Sequence, residues 1–414
     1  MNSIGNIKFV PWKFDYVLKY LIEVLDPNNL SKTLIVGGAV RDAILNRSVI
    51  DFDLVTILNF KDIFKILKEA NIKVECYNIN YGSVIVNLNN RIFEITKLRQ
   101  DIKTFYRKSY IHFVYSWQAD TLRRDFTING FYSDFDGFIY SPLNISIKDL
   151  KNNKIKFIGL PDTKLLEDIL RFLRFFRFSS THGRGYLEKQ ALEACEKYIK
   201  ISQILSGYRF LKEIKTMILI SKSLLTLTKI SQSHISLYMF GCNIGKKKII
   251  KFNSFFFFEE KFKLSFYFFH KLFSLIDLQN MIFFVKRWKI SKNERLVLKY
   301  LIVSSIYYVW RISALFKVCY FNYLKKTLEI ILISCLLCNQ SLQKIEDSFI
   351  IIKFFNKVKF NFPLQKLNVL HIGFLETQGL ENLFEYIKNW WINSINIHSK
   401  QDCLNHLFLL SSSI

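Results

Sequence analysis

The stretch Leu34-Ile-Val-Gly-Gly-Ala-Val-Arg-Asp42, followed by Ile50-Asp-Phe-Asp-Leu-Val-Thr56, constrains this chain more than any other. Thr33 to Val36 is β-branched and apolar and reads as a strand. It breaks at Gly37-Gly38, and Val40 to Leu45 reads as a short helix. Glycines at such a bend let the backbone approach a ligand closely, and the first amides of the helix would face a bound phosphate. Many strand-to-helix turns are Gly-Gly and bind nothing, so the bend gains weight only from the acids downstream of it. Asp51 and Asp53 stand nine and eleven residues beyond Asp42. On a strand, residues i and i+2 share a face, so the two carboxylates would lie side by side. Either they form a solvated strand end or they hold a cation; magnesium takes oxygen ligands together with substrate phosphates.

The combination Gly37-Gly38-Ala-Val-Arg41-Asp42 with Asp51-Phe-Asp53 resembles the signature of the class II nucleotidyltransferases. This branch of the polymerase beta superfamily includes bacterial CCA-adding enzymes and poly(A) polymerase. Further motifs are similar to the same family. In Leu122-Arg-Arg-Asp-Phe-Thr-Ile-Asn-Gly130, the resemblance implies that Arg124 contacts nucleotide phosphate, with Asp125 orienting and Asn129 holding the turn. The family usually has Ala where this chain has Gly130. In Glu167-Asp-Ile-Leu-Arg171-Phe-Leu-Arg174-Phe-Phe-Arg177, the resemblance implies that Asp168 and Arg171 read the Watson-Crick edge of the incoming base. Arg174 and Arg177 would touch phosphate or pack the pocket. Ile201 to Glu213 resembles the next motif, with Tyr208-Arg209 where Glu-Arg is usual. The resemblance runs from about Leu34 to Glu213.

Periodicity places further elements. Phe14, Val17, Leu18, Leu21, Ile22 and Leu25 form an amphipathic helix that Pro27 stops. Phe60 to Ala70 reads as a helix, and Lys73 to Tyr77, Ser83 to Leu88 and Arg91 to Thr96 as strands. Glu94, on the last of these, either assists the metal pair or the attacking hydroxyl, or is an edge residue facing water. Residues 99 to 120, with Arg99, Lys103, Arg107 and Lys108, carry no firm pattern and read as a basic loop. Lys154 to Gly159 reads as a strand leaving the head. A helix opens near Asp162, on which Asp168, Arg171, Arg174 and Arg177, spaced by three, form one ridge opposite apolar Ile169, Leu173 and Phe176. Like charges stacked this way repel unless something anionic lies against them.

Beyond about residue 225 the pattern is helical, without repeats or a recognisable motif. Lys246-Lys-Lys248 with Lys251 before Phe255 to Phe258, and Trp390-Trp391, are either RNA-stacking groups or ordinary core. The expected class is α+β: a small mixed-sheet, polymerase beta-like head over residues 1–159, a helical neck over 160–225, and a helical body and tail over 226–414.

Composition bears on partners. The chain has 59 Lys and Arg against 34 Asp and Glu, a net charge of +25. This suits a polyanion, and equally suits compositional drift, which fits the 41 Phe better. Seven dispersed cysteines, including Cys335-Leu-Leu-Cys338 with no second pair, read as free thiols. No His-Asp dipeptide suggests an added metal phosphohydrolase domain. No apolar run reaches the roughly 18 residues of a membrane span, and the N-terminus lacks signal-peptide order, so a cytoplasmic chain without membrane contact is expected.

The resemblance implies a template-independent enzyme that adds CCA to the acceptor arm of tRNA from CTP and ATP. Asp51 and Asp53 would hold Mg²⁺, and Gly38, Arg41, Arg124, Asp168, Arg171, Arg174 and Arg177 would bind the nucleotide. No protein partner is implied. The alternatives are a poly(A) polymerase, an enzyme adding only CC or only A, and an RNA-binding protein with a decayed head. The long basic tail common in related bacterial poly(A) polymerases is not seen, which favours CCA addition.

Overall fold

Helix α1 (Tyr16–Leu25) starts where the Asp15 carboxylate accepts the Leu18 amide at 3.0 Å, satisfying one of the open amides of a first turn. It buries Leu18, Leu21, Ile22 and Leu25, the positions the periodicity selects, each contributing about 1.5–3 kcal/mol. Phe14 lies before the helix and is 81% exposed, so it is not part of that face. The computed structural model describes residues 1–78, 82–105, 108–145, 147–220, 223–262, 268–276, 278–288, 290, 387, 388, 390 and 399–411.

After β1 (Ser3–Asn6) and α1, the chain forms β2 (Thr33–Val36), α2 (Gly38–Ile44), β3 (Asp53–Thr56) and α3 (Phe60–Glu69). Then come β4 (Lys73–Asn78), β5 (Ser83–Leu88) and β6 (Arg91–Lys97). Past β7 (Arg99–Phe105), β8 (Lys108–Phe113) and α4 (Trp117–Leu122), the strands β9 (Tyr132–Ser133) and β10 (Phe138–Tyr140) complete the sheet. Its order is β1-β10-β9-β2-β3-β6-β5-β4. Only β3 and β6 pair in parallel, so the sheet is mixed, as expected. β2 and β3 are buried on both faces, with Leu34, Ile35, Leu54 and Val55 inside, whereas β6 alternates, Phe93 and Ile95 buried and Glu94 between them exposed. β1 and β10 pair antiparallel, Ser3 opposite Tyr140, so the first residues of the chain seal one edge.

Helices follow: α5 (Ile147–Lys151), α6 (Pro161–Glu167), α7 (Leu170–Thr181), α8 (Lys189–Tyr198) and α9 (Gly207–Ile218). The chain is thus α+β. Contacts group it into Met1–Asn243 and Ile244–Ile414. The described segments of the second unit are helices, Lys246–Phe262, Phe268–Leu275, Leu278–Arg287 and Lys400–Ser411. The first carries the lysine run; its Phe256 packs edge-on to Phe252 and lies under the Lys271 ammonium at 3.8 Å. Trp390 stacks on His406 at 4.1 Å. Trp391, Arg107, Ser146, Cys319, Cys335 and Cys338 lie outside the described residues. Among the described residues no helix is long and apolar enough to cross a membrane.

Four sequence expectations change. Arg99 to Phe113 is no loop but a two-stranded hairpin ladder, Arg99 opposite Phe113 and Gln100 opposite His112. Lys154 to Gly159 is no strand; only Phe157 bridges to Phe126. Strand β3 begins at Asp53, leaving Asp51 in the approach to it. The helix expected through Asp168 breaks there: Asp168 has extended backbone (φ −148°, ψ 107°) between α6 and α7.

The loop from α1 into β2 is held by buried Asp26, whose carboxylate accepts the amides of Leu30 at 3.1 Å and Lys32 at 2.7 Å. Asp26→Ala leaves two amides without an acceptor. It should lower stability by about 1–3 kcal/mol, read as a lower urea midpoint for the first unfolding transition.

Candidate nucleotide-binding cleft

Three ladders place one row of residues across the sheet. Val36 pairs with Tyr132 on one side and with Asp53 on the other, and Asp53 pairs with Glu94 across the parallel β3/β6 ladder. The bend therefore comes directly after the residue opposite the acid. Gly37 has φ +71° and ψ −122°, a backbone conformation that a side chain would strain, and its amide donates to the Phe131 carbonyl at 3.3 Å. A Cβ on Gly38 would stand 3.6 Å from an Arg41 guanidinium nitrogen, so the bend lies against that cation.

Asp53 and Glu94 face solvent at the mouth of a cleft, and neither they nor Asp51 make a hydrogen bond or ion pair among the described residues. Enclosure of the Asp53 carboxyl, then the charges of Glu94 and Asp51, raise its pKa above the usual carboxylate range against the pull of Arg124. Glu94 lies on an interior strand, so the reading of an edge residue does not hold. Asp51 sits close enough to act on Asp53 electrostatically but is not part of the cleft lining. Among the described residues no group of three His, Cys, Asp or Glu forms a complete metal cage.

The cleft, about 600 Å³, runs from Gly37, Gly38 and Asp53 past Arg41 and Arg124 to Asp168, Arg171, Arg174 and Arg177. All the nucleotide-binding residues expected from the sequence thus line one cavity. The arginines are not left to repel each other. Arg171 donates to the carbonyls of Lys164 (3.1 Å) and Arg123 (2.8 Å) and pairs with Glu167. Arg174 Nε donates to Asp125 at 2.6 Å, and Arg177 pairs with Glu213. The anions lying against the expected ridge are therefore the protein's own. Asp168 sits at the break before α7, not on it; its carboxylate accepts the Leu170 amide at 3.0 Å and the Arg209 guanidinium at 2.9 Å.

A buried frame sits behind these side chains. Asp120, fully buried on α4, accepts from Arg123 Nη2 at 2.7 Å, Arg124 Nη2 at 2.8 Å and the Tyr132 hydroxyl at 2.8 Å. Burial works against its charge, but the two guanidinium groups hold its pKa far below the carboxylate range. Asp125 accepts from the Phe126 amide at 2.8 Å and from Asn129 at 3.0 Å, and Asn129 accepts from Arg41 at 2.8 Å. The expected orienting roles of Asp125 and Asn129 take this form. At Gly130 a Cβ would meet Ile145 at 2.6 Å, a packing reason for glycine there. Arg99, also in the lining, is pushed down to about 10, by burial first and then by the charge of Arg123.

Asp120, Arg99, Arg209 and the placing of Glu94 were missed or left open by sequence reasoning. Asp120 left one signal: an acid three and four residues before Arg123 and Arg124, on a helix capped by Ser116. Arg209 stood out only as the retained arginine of the Tyr208-Arg209 motif; its place in the cleft was not legible, since its partner lies 41 residues away.

A family model described as the poly(A) polymerase head domain matches residues 33–156. Residues 33–156 are thus similar to the head domain of the poly(A) polymerase family. Its curated relatives include the mitochondrial CCA tRNA nucleotidyltransferase 1 of Homo sapiens, 34% identical over 204 residues, which are 48% of this chain and 46% of that protein. The CCA-adding enzyme of Streptococcus gordonii is 34% identical over 186 residues, 44% of this chain and 45% of that protein. The chain spans about half the length of the curated relatives it matches. Among solved structures, the Bacillus stearothermophilus CCA-adding enzyme in complex with CTP superposes with a TM-score of 0.70 at 18% identity, over 97% of this chain and 98% of that one. The Thermotoga maritima CCA-adding enzyme complexed with tRNA gives a TM-score of 0.71 at 17% identity over the whole of both chains. These likenesses establish the shared fold.

A raised carboxylate pKa sets the sign of a stability effect. Below its unfolded pKa, Asp53 is protonated in both states and contributes nothing; above its folded pKa the ionised form opposes folding. Asp53→Asn should therefore raise the metal-free melting temperature at pH 7, by a few tenths of a kcal/mol because the group is screened by water. The gain should vanish as pH falls towards about 4. Differential scanning fluorimetry of both proteins across this pH range reads both effects.

Proposed function

We propose that this chain is a template-independent RNA nucleotidyltransferase that adds CCA to the 3′ end of tRNA, using CTP and ATP and releasing pyrophosphate. The observation that carries the reading is the row Val36–Asp53–Glu94. It puts Asp53 beside the glycine bend in an arginine-lined cleft, with Glu94 next to it in a smaller pocket that shares Asp53, Arg99, Arg123 and Arg124 with that cleft. The match to CCA-adding enzymes over the head supports the choice of substrate.

The residues fit a divalent cation. Asp53 and Glu94 are neighbouring hard oxygen donors without protein partners, and their mutual repulsion is what a cation would relieve. Magnesium is the ion that completes its shell with substrate phosphates and water, so an incomplete protein cage is in keeping with it. Asp51 and Asp53 would hold it, with Glu94 beside them, and when bound it would supply electrostatic stabilisation to the oxygens of the phosphoryl transfer.

In the reaction, the terminal 3′-hydroxyl of the RNA attacks the α-phosphorus of the nucleoside triphosphate. The bond to the β-phosphate oxygen breaks, pyrophosphate leaves, and the hydroxyl proton is lost. Gly37 and Gly38 give the triphosphate room against the backbone. Arg41 and Arg124 present guanidinium groups already fixed by Asp42, Asn129 and Asp120, so little freedom is lost on binding. Asp168 and Arg171 would read the base, Asp168 as acceptor and Arg171 as donor, with Arg174 and Arg177 walling the pocket. In our reading the chain works in the cytoplasm, where the free Cys76, Cys195 and Cys403 suit a reducing environment.

The test supplies the full chain with tRNA ending at the discriminator base, Mg²⁺, and CTP and ATP singly and together, and sizes products on a gel. The expected product is three nucleotides longer. A long A tract would indicate a poly(A) polymerase, arrest after CC or addition of A alone a partial enzyme, and no extension an RNA-binding protein. Asp51→Ala and Asp53→Ala should each abolish incorporation while tRNA binding in a filter assay persists; activity retained in both overturns the reading. Arg171→Ala should narrow the ratio of kcat/KM between CTP and ATP, and it should also lower the melting temperature because Glu167 keeps only Lys164 and the carbonyls of Lys164 and Arg123 lose a donor.

A further inference from the structure

We infer that His182 is a positioning residue for nucleotide binding, acting on Arg41 through Asp42; this deepens the proposed function and rests on it. His182 closes α7, is 8% exposed, and sets its Nε2 3.0 Å from Asp42 Oδ1. Its Nδ1 lies 2.6 Å from the Thr181 hydroxyl. The Asp42 carboxylate can only accept, so the ring carries its proton on Nε2 and donates it there; Nδ1 is then the acceptor facing the Thr181 hydroxyl, which also has the Arg177 carbonyl within 3.0 Å. Asp42 in turn takes both Arg41 Nε, at 3.0 Å, and Arg41 Nη2, at 2.6 Å.

Neighbours in sequence on a helix do not face each other. Arg41 and Asp42 nevertheless form a two-point pair, which requires the carboxylate to be held away from its own exposed direction. His182, 140 residues away in sequence, supplies that hold. Arg41 Nη1 is anchored separately to Asn129 at 2.8 Å, and the guanidinium lies 5.3 Å from the Phe178 ring centre. Three of its five N–H groups are thus spent on the protein. The other two, one on each terminal nitrogen, remain for an anion in the cleft beside Gly38. Buried His182 itself has no place in the cleft lining, so its effect on ligand passes through Asp42 and Arg41.

The test measures CTP affinity by titration calorimetry on the full chain with Mg²⁺, and KM and kcat separately. His182→Phe keeps a buried ring and removes the donor. It should weaken CTP about tenfold and raise KM with little change in kcat. His182→Gln, whose amide can reach Asp42, should recover most of the loss. In an Arg41→Ala background His182→Phe should add nothing further. Should the Phe variant fail to fold, His182→Leu, followed by thermal unfolding, carries the same comparison. CTP binding within twofold of wild type, no recovery with Gln, or full additivity with Arg41→Ala would each overturn the assignment. A wild type that binds CTP without incorporating it overturns the proposed function instead and leaves this comparison intact.

Discussion

One antiparallel register underlies the site: Val36 stands opposite Asp53. Because the side-chain period of a strand is two, a slip by one residue would turn Asp53 into the core and bring buried Leu54 out to the cleft. β2 is buried throughout and β3 from Leu54 onward, on both faces, so that slip would press the Asp53 carboxylate among apolar side chains, which is costly for an unpaired charge. Packing on the apolar positions therefore fixes where the carboxylate points. The parallel neighbour β6 then brings Glu94 to the same row, and the bend after Val36 brings the glycines.

The second principle is local charge balance. A cavity lined by many guanidinium groups would fly apart in isolation, yet all but Arg99 are answered by a fixed acid: Asp42 for Arg41, Asp120 for Arg123 and Arg124, Glu167 for Arg171, Asp125 for Arg174, Glu213 for Arg177 and Asp168 for Arg209. Such pairs are costly to desolvate, and their value here lies more in geometry than in net stability. They hold planar donors in set orientations. Against this order, Asp53 and Glu94 are carboxylates that form no ion pair among the described residues.

How much of this was legible in the sequence depends on the range of the interaction that decides it. The bend at Gly37-Gly38, strands β2, β5 and β6, and helices α1 and α3 arise from local patterns of apolar and special residues. Their expected bounds lie within a residue or two of the observed ones. The hairpin β7/β8 was not legible, because its strands mix Arg, Gln, Asp, Lys, Ser and His without an apolar alternation, and pairing rather than burial defines it. The break at Asp168 was hidden because the three-residue spacing of charges continues across it, while its cause is the carboxylate turning to the Leu170 amide and Arg209. The residues of the cleft were legible as types. Their partners were not: Arg174 meets Asp125 from 49 residues away and Arg177 meets Glu213 from 36.

Strand β1 pairs with β10, so the polypeptide enters the sheet domain and finishes its last strand along the same border. A module whose two ends are stitched to each other places few demands on what is attached after it, since no strand must be donated from outside to complete it. Such a unit is portable. The poly(A) polymerase head-domain match, residues 33–156, falls inside that unit and includes β10, the strand to which the chain's first strand is stitched.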